Sequence, residues 1–376
     1  MLIRANSCSS SKLTPATNNQ HPLKVIIPIV AGVGNALMAL PMVRQLKRSQ
    51  PTTHVTVIAR LNAMAEPFRR LLDIKEIDEV LVSGSGARNY LRGIHQTRSR
   101  HADIYLIPFP SNRWQYSLLA QASGAKTKLL HAYPVGYWRA LHFLPSQRIP
   151  AEQGLHDVVQ NLRLLKALDI TPDESEAPRF LVNDTDRLHA TTLLRELNLE
   201  DDAPFIAVHA GSAKTVLATA KRWPPKNYAE LIQQLDRPVV LLEGPDETGV
   251  ADEILQHIPG TKPRVLRLRG PLGDAGAILE RASLYVGSDS GLAHLAAAVK
   301  TPPITLFAPA DPDRVSPFGY RHLVVQPNKS CTPCFQYPWK TPYPKMCCRE
   351  PMCITEVTAQ QVVQKVLMQL TLPEKA

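Results

Sequence analysis

The chain has 376 residues, 44% of them apolar and 20% charged, with a formal net charge of +10. That length exceeds what one hydrophobic core usually supports, and the apolar content suffices for two, so two domains are expected. No apolar run approaches the roughly 20 residues that cross a bilayer, and the basic residues fall in scattered pairs such as Lys47-Arg48 and Arg69-Arg70. A soluble or peripheral protein is expected; the charge suits an anionic partner, a membrane surface or a phosphorylated substrate, no nucleic-acid motif is present, and for any single basic pair a solvated surface is the competing reading.

Residues 1–22 are polar, lack the apolar centre of a signal peptide and read as a disordered tail. Val25 to Ile29 reads as a strand, Val30-Ala31-Gly32-Val33-Gly34-Asn35 as a tight turn, and Ala36 to Ser49 as a helix striped by Leu37, Leu40, Val43 and Leu46, with a kink expected at Pro41. Gly32-x-Gly34 lacks the third glycine of a dinucleotide fingerprint, and no acidic residue ends the next strand, His54 to Ile58. A helix near Ala63 to Leu72, strands at Val80 to Val82 and Ile104 to Ile107, and a helix from Trp114 to Ala122 continue the alternation. Arg113, just past the Ile104 strand on the expected cleft side, has the planar donor fork that binds phosphate or carboxylate. His131 follows the apolar pair Leu129-Leu130. It reads either as a surface loop histidine or as a group at the carboxyl edge of the sheet. An amphipathic helix over residues 156–168 and the acidic, proline-containing segment from Thr171 to Pro178 lead into the crossing between domains, with a further helix within Leu181 to Leu199.

The second half restarts the pattern. Pro204 to Val208 is a strand ending in His209-Ala210-Gly211-Ser212, where small residues let a ligand approach the backbone. Lys221-Arg222-Trp223-Pro224 precedes a helix. Pro238 to Leu242 is a strand, and Glu243-Gly244-Pro245-Asp246-Glu247 turns into another helix. Asp274 is expected to N-cap the helix over Ala275 to Ala282. Leu284 to Val286 is a buried strand that breaks at Gly287, and Ser288, Asp289 and Ser290 precede a helix with Leu292, Leu295, Ala296 and Val299 on its apolar face and His294 off it. Pro302-Pro303 ends that helix, and a strand from Ile304 to Phe307 follows. Uncompensated N–H groups at the start of such a helix, at the carboxyl edge of a sheet, form a phosphate site; an ordinary capped helix is the competing reading.

The block Asp289-Ser290-Gly291-Leu292-Ala293-His294-Leu295-Ala296-Ala297-Ala298, followed by Pro309-Ala310-Asp311-Pro312, resembles the signature of the family 9 glycosyltransferases, which include the lipopolysaccharide heptosyltransferases. Lys221-x-Trp223-Pro224 matches that family's Lys-x-Trp-Pro motif in the correct order. The resemblance spans roughly residues 24 to 370. It implies an α/β protein of GT-B architecture, with two Rossmann-like domains whose parallel sheets face across a cleft. It also implies metal-independent, inverting transfer from a nucleotide-diphosphate sugar such as ADP-heptose to a lipopolysaccharide-core-type glycan. On this resemblance the donor meets Ser212, Lys221, Glu247, Asp289, Ser290, Gly291 and His294, with Lys221 stabilising the leaving diphosphate. The acceptor side is Gly34, Asn35 and Arg113.

One position departs from the family. The turn Gly32-Val33-Gly34-Asn35 occupies the place of Gly-x-Gly-Asp, whose aspartate serves as general base. An amide cannot take the acceptor's proton, although its carbonyl can orient the hydroxyl. His131 is an alternative base by position, and a donor-binding protein with lost or altered catalysis is the alternative function. A nucleotide-sugar epimerase is a further rival, for which no convincing nicotinamide fingerprint is present.

The implied organisation is an acceptor domain over 23–175, a connection over 176–203, a donor domain over 204–355 and a C-terminal segment over 356–376 whose helix is expected to pack back on the first domain. Cys331, Cys334, Cys347 and Cys353 have spacing compatible with a structural zinc site, but their second half is not a clean Cys-x-x-Cys. Reduced thiols are the other reading, and no cofactor is expected. The resemblance implies a cytoplasmic protein, peripheral at the inner face of the inner membrane, and the positive charge suits a phosphorylated glycolipid at that anionic leaflet.

Overall fold

The structure, a computed structural model, describes residues 21–200, 202–211, 218–340 and 353–371. The expected tail up to residue 20, Ser212 and Cys347 lie outside the described residues.

Two six-stranded parallel sheets form the framework. The first is built from β1 (Lys24–Ile29), α1 (Val33–Ser49), β2 (His54–Ala59), α2 (Asn62–Asp73), β3 (Glu79–Val82), α3 (Ala87–Arg98), β4 (Ile104–Leu106), α4 (Trp114–Ala122), β5 (Thr127–Ala132) and β6 (Gln147–Pro150), in the order β3-β2-β1-β4-β5-β6. Then come α5 (Asp157–Arg163), running into a 3-10 turn over Leu164–Leu168, and α6 (Asp184–Glu196). The second sheet arises from β7 (Ile206–His209), α7 (Ala218–Lys221), α8 (Pro225–Gln233), β8 (Val239–Glu243), α9 (Val250–Gln256), β9 (Arg264–Arg267), α10 (Leu272–Arg281), β10 (Leu284–Ser288), α11 (Gly291–Ala298), β11 (Pro303–Leu306), α12 (Pro312–Val315) and β12 (Val324–Val325), in the order β12-β11-β10-β7-β8-β9. The last element is α13 (Ala359–Leu370).

Period-2 alternation divides the side chains of each sheet between two cores. Val25, Ile27 and Ile29 of β1 point into a central core that also takes Ala207 of β7 and Val240 and Leu242 of β8. Ile26 faces the opposite way, beneath α3 and α4. Ile206, Val208, Val239 and Leu241 face the outer core of the second sheet. The central core is continuous between the sheets because α1 packs against α11, and α10 packs against α2 and α6.

Polar contacts fix the same seam. Glu66 on α2 accepts from the N–H groups of Leu272 (2.9 Å) and Gly273 (2.8 Å), the first orphan donors of α10. Asp274 is therefore not the N-cap: Pro271 occupies that position, and a carboxylate from the other sheet's layer supplies the capping. Asp274 lies in the first turn, facing His189 Nδ1 at 3.4 Å.

The final helix also differs from expectation. Val362, Val363 and Val366 of α13 join the outer core of the second sheet with Trp223 and Tyr228, and Trp223 Nε1 donates to the Val357 carbonyl at 2.7 Å. Its apolar stripe is thus already matched beside α8, and it does not pack on the first domain. Within the expected connection, α6 packs on α10 and so belongs to the second layer.

Candidate functional site

The carboxyl ends of β7, β8 and β10 converge on one polar cluster. Ser290 is the N-cap residue of α11 but makes no side-chain capping bond, so the first-turn N–H groups of this helix have no internal cap. Beside them Asp289 Oδ2 lies 2.5 Å from Lys221 Nζ at the end of α7. Trp223, two residues on, is buried edge-to-face against Tyr228 (4.9 Å between ring centroids), which anchors the segment carrying Lys221.

A second pair lies next to it. His209 Nε2 donates to Glu247 Oε2 at 2.6 Å, leaving Nδ1 toward the hydroxyls of Tyr285 (3.3 Å) and Ser290 (3.4 Å). Burial works against ionisation of Glu247, but the His209 hydrogen bond and charge, the Gly244 N–H and the nearby Arg222 outweigh it and hold the carboxyl below its ordinary range. Gly211 makes room for this arrangement: a Cβ there would lie 1.8 Å from the Glu247 carboxyl carbon. The space expected for a ligand at Gly211 is thus taken by Glu247.

His294 does not sit on a solvated face. It is buried, and its ring lies against the backbone of Gly34 on α1, where a Cβ would come within 2.8 Å of His294 Cδ2. A Cβ on Gly291 would in turn lie 3.1 Å from the Val33 side chain. Two glycines thus let the N-termini of α1 and α11 meet, and α1 also lacks a side-chain cap. Gly34→Ala should destabilise the protein by about 1–3 kcal/mol through overpacking of this seam, read as a lower denaturant midpoint.

Asn35, one residue on, is half-buried and lines a shallow pocket with Val30, Ile107, Phe109, Pro110 and Tyr116. Arg113 lies at the N-cap of α4, its guanidinium 5.0 Å from the Tyr337 ring centroid. His131 is neither a loop residue nor a cleft base. It lies fully buried on β5, Nε2 donating to the Gln160 carbonyl at 3.1 Å and the ring edge-to-face with Phe109.

The structure adds a pair that sequence reasoning missed. Arg314 on α12 lies 2.8 Å (Nε) from Oδ1 of the fully buried Asp157 on α5, and it donates to the Tyr337 carbonyl. Burial pushes the Asp157 carboxyl up to about 7 against the pull of Arg314. The loop after β11 is thereby tied to the first domain, as it is by His156 Nε2, which donates to the Ser316 carbonyl at 2.7 Å. No spacing rule marks such a pair, since its partners are more than 150 residues apart in the chain.

Burial lowers His131, His156 and His294 each to about 4. Each is neutral in the folded protein while its unfolded counterpart protonates near 6.5, so the folded state binds fewer protons between those values. Through these histidines stability should be fully present above pH 6.5 and fall as pH drops toward 4, by up to about 1.4 kcal/mol per pH unit per histidine, opposed by the single Asp157, whose proton uptake in the folded state below about pH 7 adds stability. Denaturant midpoints at pH 7 and pH 5 test this.

Cys331 is exposed, Cys334 half-buried and Cys353 buried, and no group of three His, Cys, Asp or Glu side chains is placed to hold a metal among the described residues. No helix among the described residues is long and apolar enough to cross a membrane.

Two Rossmann-like sheets meeting at the N-termini of α1 and α11 define a GT-B glycosyltransferase fold. The description of glycosyltransferase family 9 (heptosyltransferase) matches residues 111–343, and the chain belongs to that family. It is 28% identical over 298 residues to lipopolysaccharide heptosyltransferase 3 of Escherichia coli strain K12, covering 74% of this chain and 80% of that protein. A family 9 glycosyltransferase from Veillonella parvula superposes with a TM-score of 0.71 at 19% identity, covering 93% of this chain and 97% of that one. The E. coli ADP-heptose lipopolysaccharide heptosyltransferase II superposes with a TM-score of 0.69 at 20% identity, covering 93% and 98%. The protein is a heptosyltransferase-type glycosyltransferase.

Proposed function

We propose that the protein transfers heptose from ADP-heptose, with inversion and without a metal ion, to a hydroxyl of a lipopolysaccharide-core-type glycan. In this reading the enzyme works in the cytoplasm and meets its acceptor at the inner face of the inner membrane. The observation that carries the reading is the Lys221–Asp289 pair at the uncapped start of α11, the helix that meets Gly34, the residue before Asn35, across the seam.

The donor diphosphate lies between the Lys221 ammonium and the α11 N–H groups, which together supply the positive charge that a metal gives in other transferases. Ser290, Gly291 and His294 border it, with Glu247 toward the nucleoside. As the acceptor oxygen attacks the anomeric carbon, the bond to the diphosphate breaks, the hydroxyl proton passes to solvent water or to the departing diphosphate, and Lys221 offsets the charge that grows on ADP. Asn35 accepts from the attacking hydroxyl through Oδ1 and holds it in line, while Arg113 pairs with a phosphate or carboxylate of the acceptor.

A second reading, donor binding with lost or altered catalysis, is favoured by Asn35 itself, because His131 is sealed in the core and cannot stand in as base. The cysteines are read as thiols; a zinc-to-protein ratio near one would replace that reading with a structural site. The central test is calorimetric titration with ADP-heptose, ADP, UDP-sugars and GDP-sugars in EDTA, repeated for Lys221→Ala and Asp289→Ala. Saturable binding of the ADP series, weakened by both substitutions, supports the transferase reading. Absence of binding in every series overturns it.

A further inference from the structure

From Val80 through Ala151 the chain holds nine Lys and Arg residues and a single acidic residue, Asp103, so this segment carries most of the formal net charge of +10. The same segment supplies every exposed aromatic residue of large surface among the described residues: Tyr90, Trp114, Tyr137, Trp138 and Phe143. Charge and aromatic exposure therefore coincide on α3, at the start of α4, where Arg113 precedes Trp114, and on the loop between β5 and β6.

That loop is held firmly. Ser117 Oγ on α4 donates to the Ala140 carbonyl at 2.7 Å, Gln121 Nε2 donates to the Pro145 carbonyl at 2.8 Å, and Ala140 N donates back to Gly136 at 2.7 Å. Its aromatics cluster outward on this base. Trp138 is 75% exposed, and its ring centroid lies 5.7 Å from Phe143 and 5.3 Å from Tyr137. Trp114 and Leu118, one turn apart on α4, extend the apolar surface, while Arg139 in the loop and Arg88 and Arg92 on α3, which packs beside α4, are exposed.

The geometry points to an anionic bilayer as the occupant of this surface. Amphipathic aromatic rings settle at headgroup depth, and basic residues beside them gain from anionic lipid. A protein partner with a charge-free apolar face would leave the arginines without a counter-charge. The surface also adjoins the acceptor side, because Tyr116 of the same α4 lines the pocket holding Asn35. Docking through Trp138 and Phe143 would present that pocket to a lipid-anchored glycan. This inference deepens the proposed function and rests on its placing of the acceptor at a membrane.

The test is sedimentation of the full chain with vesicles of phosphatidylglycerol and phosphatidylethanolamine, against phosphatidylcholine alone, at low and high salt. Wild type should prefer the anionic vesicles and release with salt. The double variant Trp138→Ser/Phe143→Ser should bind about tenfold more weakly, and Arg88→Ser/Arg92→Ser should also lose at least about tenfold. Equal binding to both lipids, or variants that bind like wild type, would overturn the inference. So would a concentration-dependent dimer abolished by the aromatic substitutions with vesicle binding unchanged, which would assign the patch to a second copy. ADP-heptose titration of the same variants separates the two readings: intact vesicle binding without donor binding removes the transferase proposal and leaves the surface. Donor binding with no vesicle preference does the reverse.

Discussion

Lys221→Ala is expected to lower transfer about 10²- to 10³-fold, the usual cost of removing one group aimed at charge that develops in the transition state. The loss should fall on kcat more than on donor affinity, because the negative charge on the leaving diphosphate is greatest as the glycosidic bond breaks. In the free protein the ammonium is held by Asp289 at 2.5 Å, which keeps it at the mouth of α11 before any ligand arrives. The substitution also leaves Asp289, a nearly buried carboxylate, without its counter-charge. A thermal midpoint measured alongside separates this structural cost from the chemical one. A rate within threefold of wild type would remove Lys221 from the mechanism.

Asn35→Asp should raise turnover by about 10²-fold or more, the lower end of what a positioned general base supplies. The residue lies in the first turn of α1, half-buried, and that helix start holds no acidic residue, so a carboxylate there is favoured by the helix dipole. A wild type with measurable transfer and a faster Asn35→Asp would show a reaction limited by proton removal. A silent wild type with an active variant would establish the donor-binding reading. An unchanged rate would mean that another group already accepts the proton, and that group is not His131, whose ring has no access to the cleft.

Much of the architecture was legible because local chemistry and tertiary role agree there. The strands of both central layers are apolar runs ending in turns, and α11 follows a polar turn with its apolar residues in helical register. Elements that escaped sequence reading lack that agreement. The β6 sequence, Gln147–Pro150, is an edge strand with no fully buried residue, and β9 begins and ends in arginine. The helix α3 follows a Ser-Gly-Ser-Gly stretch and contributes little to any core. Asp274 looked like a cap because it precedes a helical stripe. The groups that need capping are instead satisfied by Glu66, more than 200 residues away.

By itself the sequence determined the two-sheet α/β class and the ordered motifs around Lys221 and Asp289, because each is written in contiguous residues of fixed spacing. It also exposed the substitution at Asn35. Only the tertiary structure decided how these meet: His294 packed on Gly34, Glu247 folded back onto His209 against Gly211, Asp157 buried with Arg314, and α13 matched to the second sheet. The physical reason is common to all four. Each is a choice between long-range partners of similar local chemistry, and it is settled by which surfaces are brought together and dried when both sheets pack on one core.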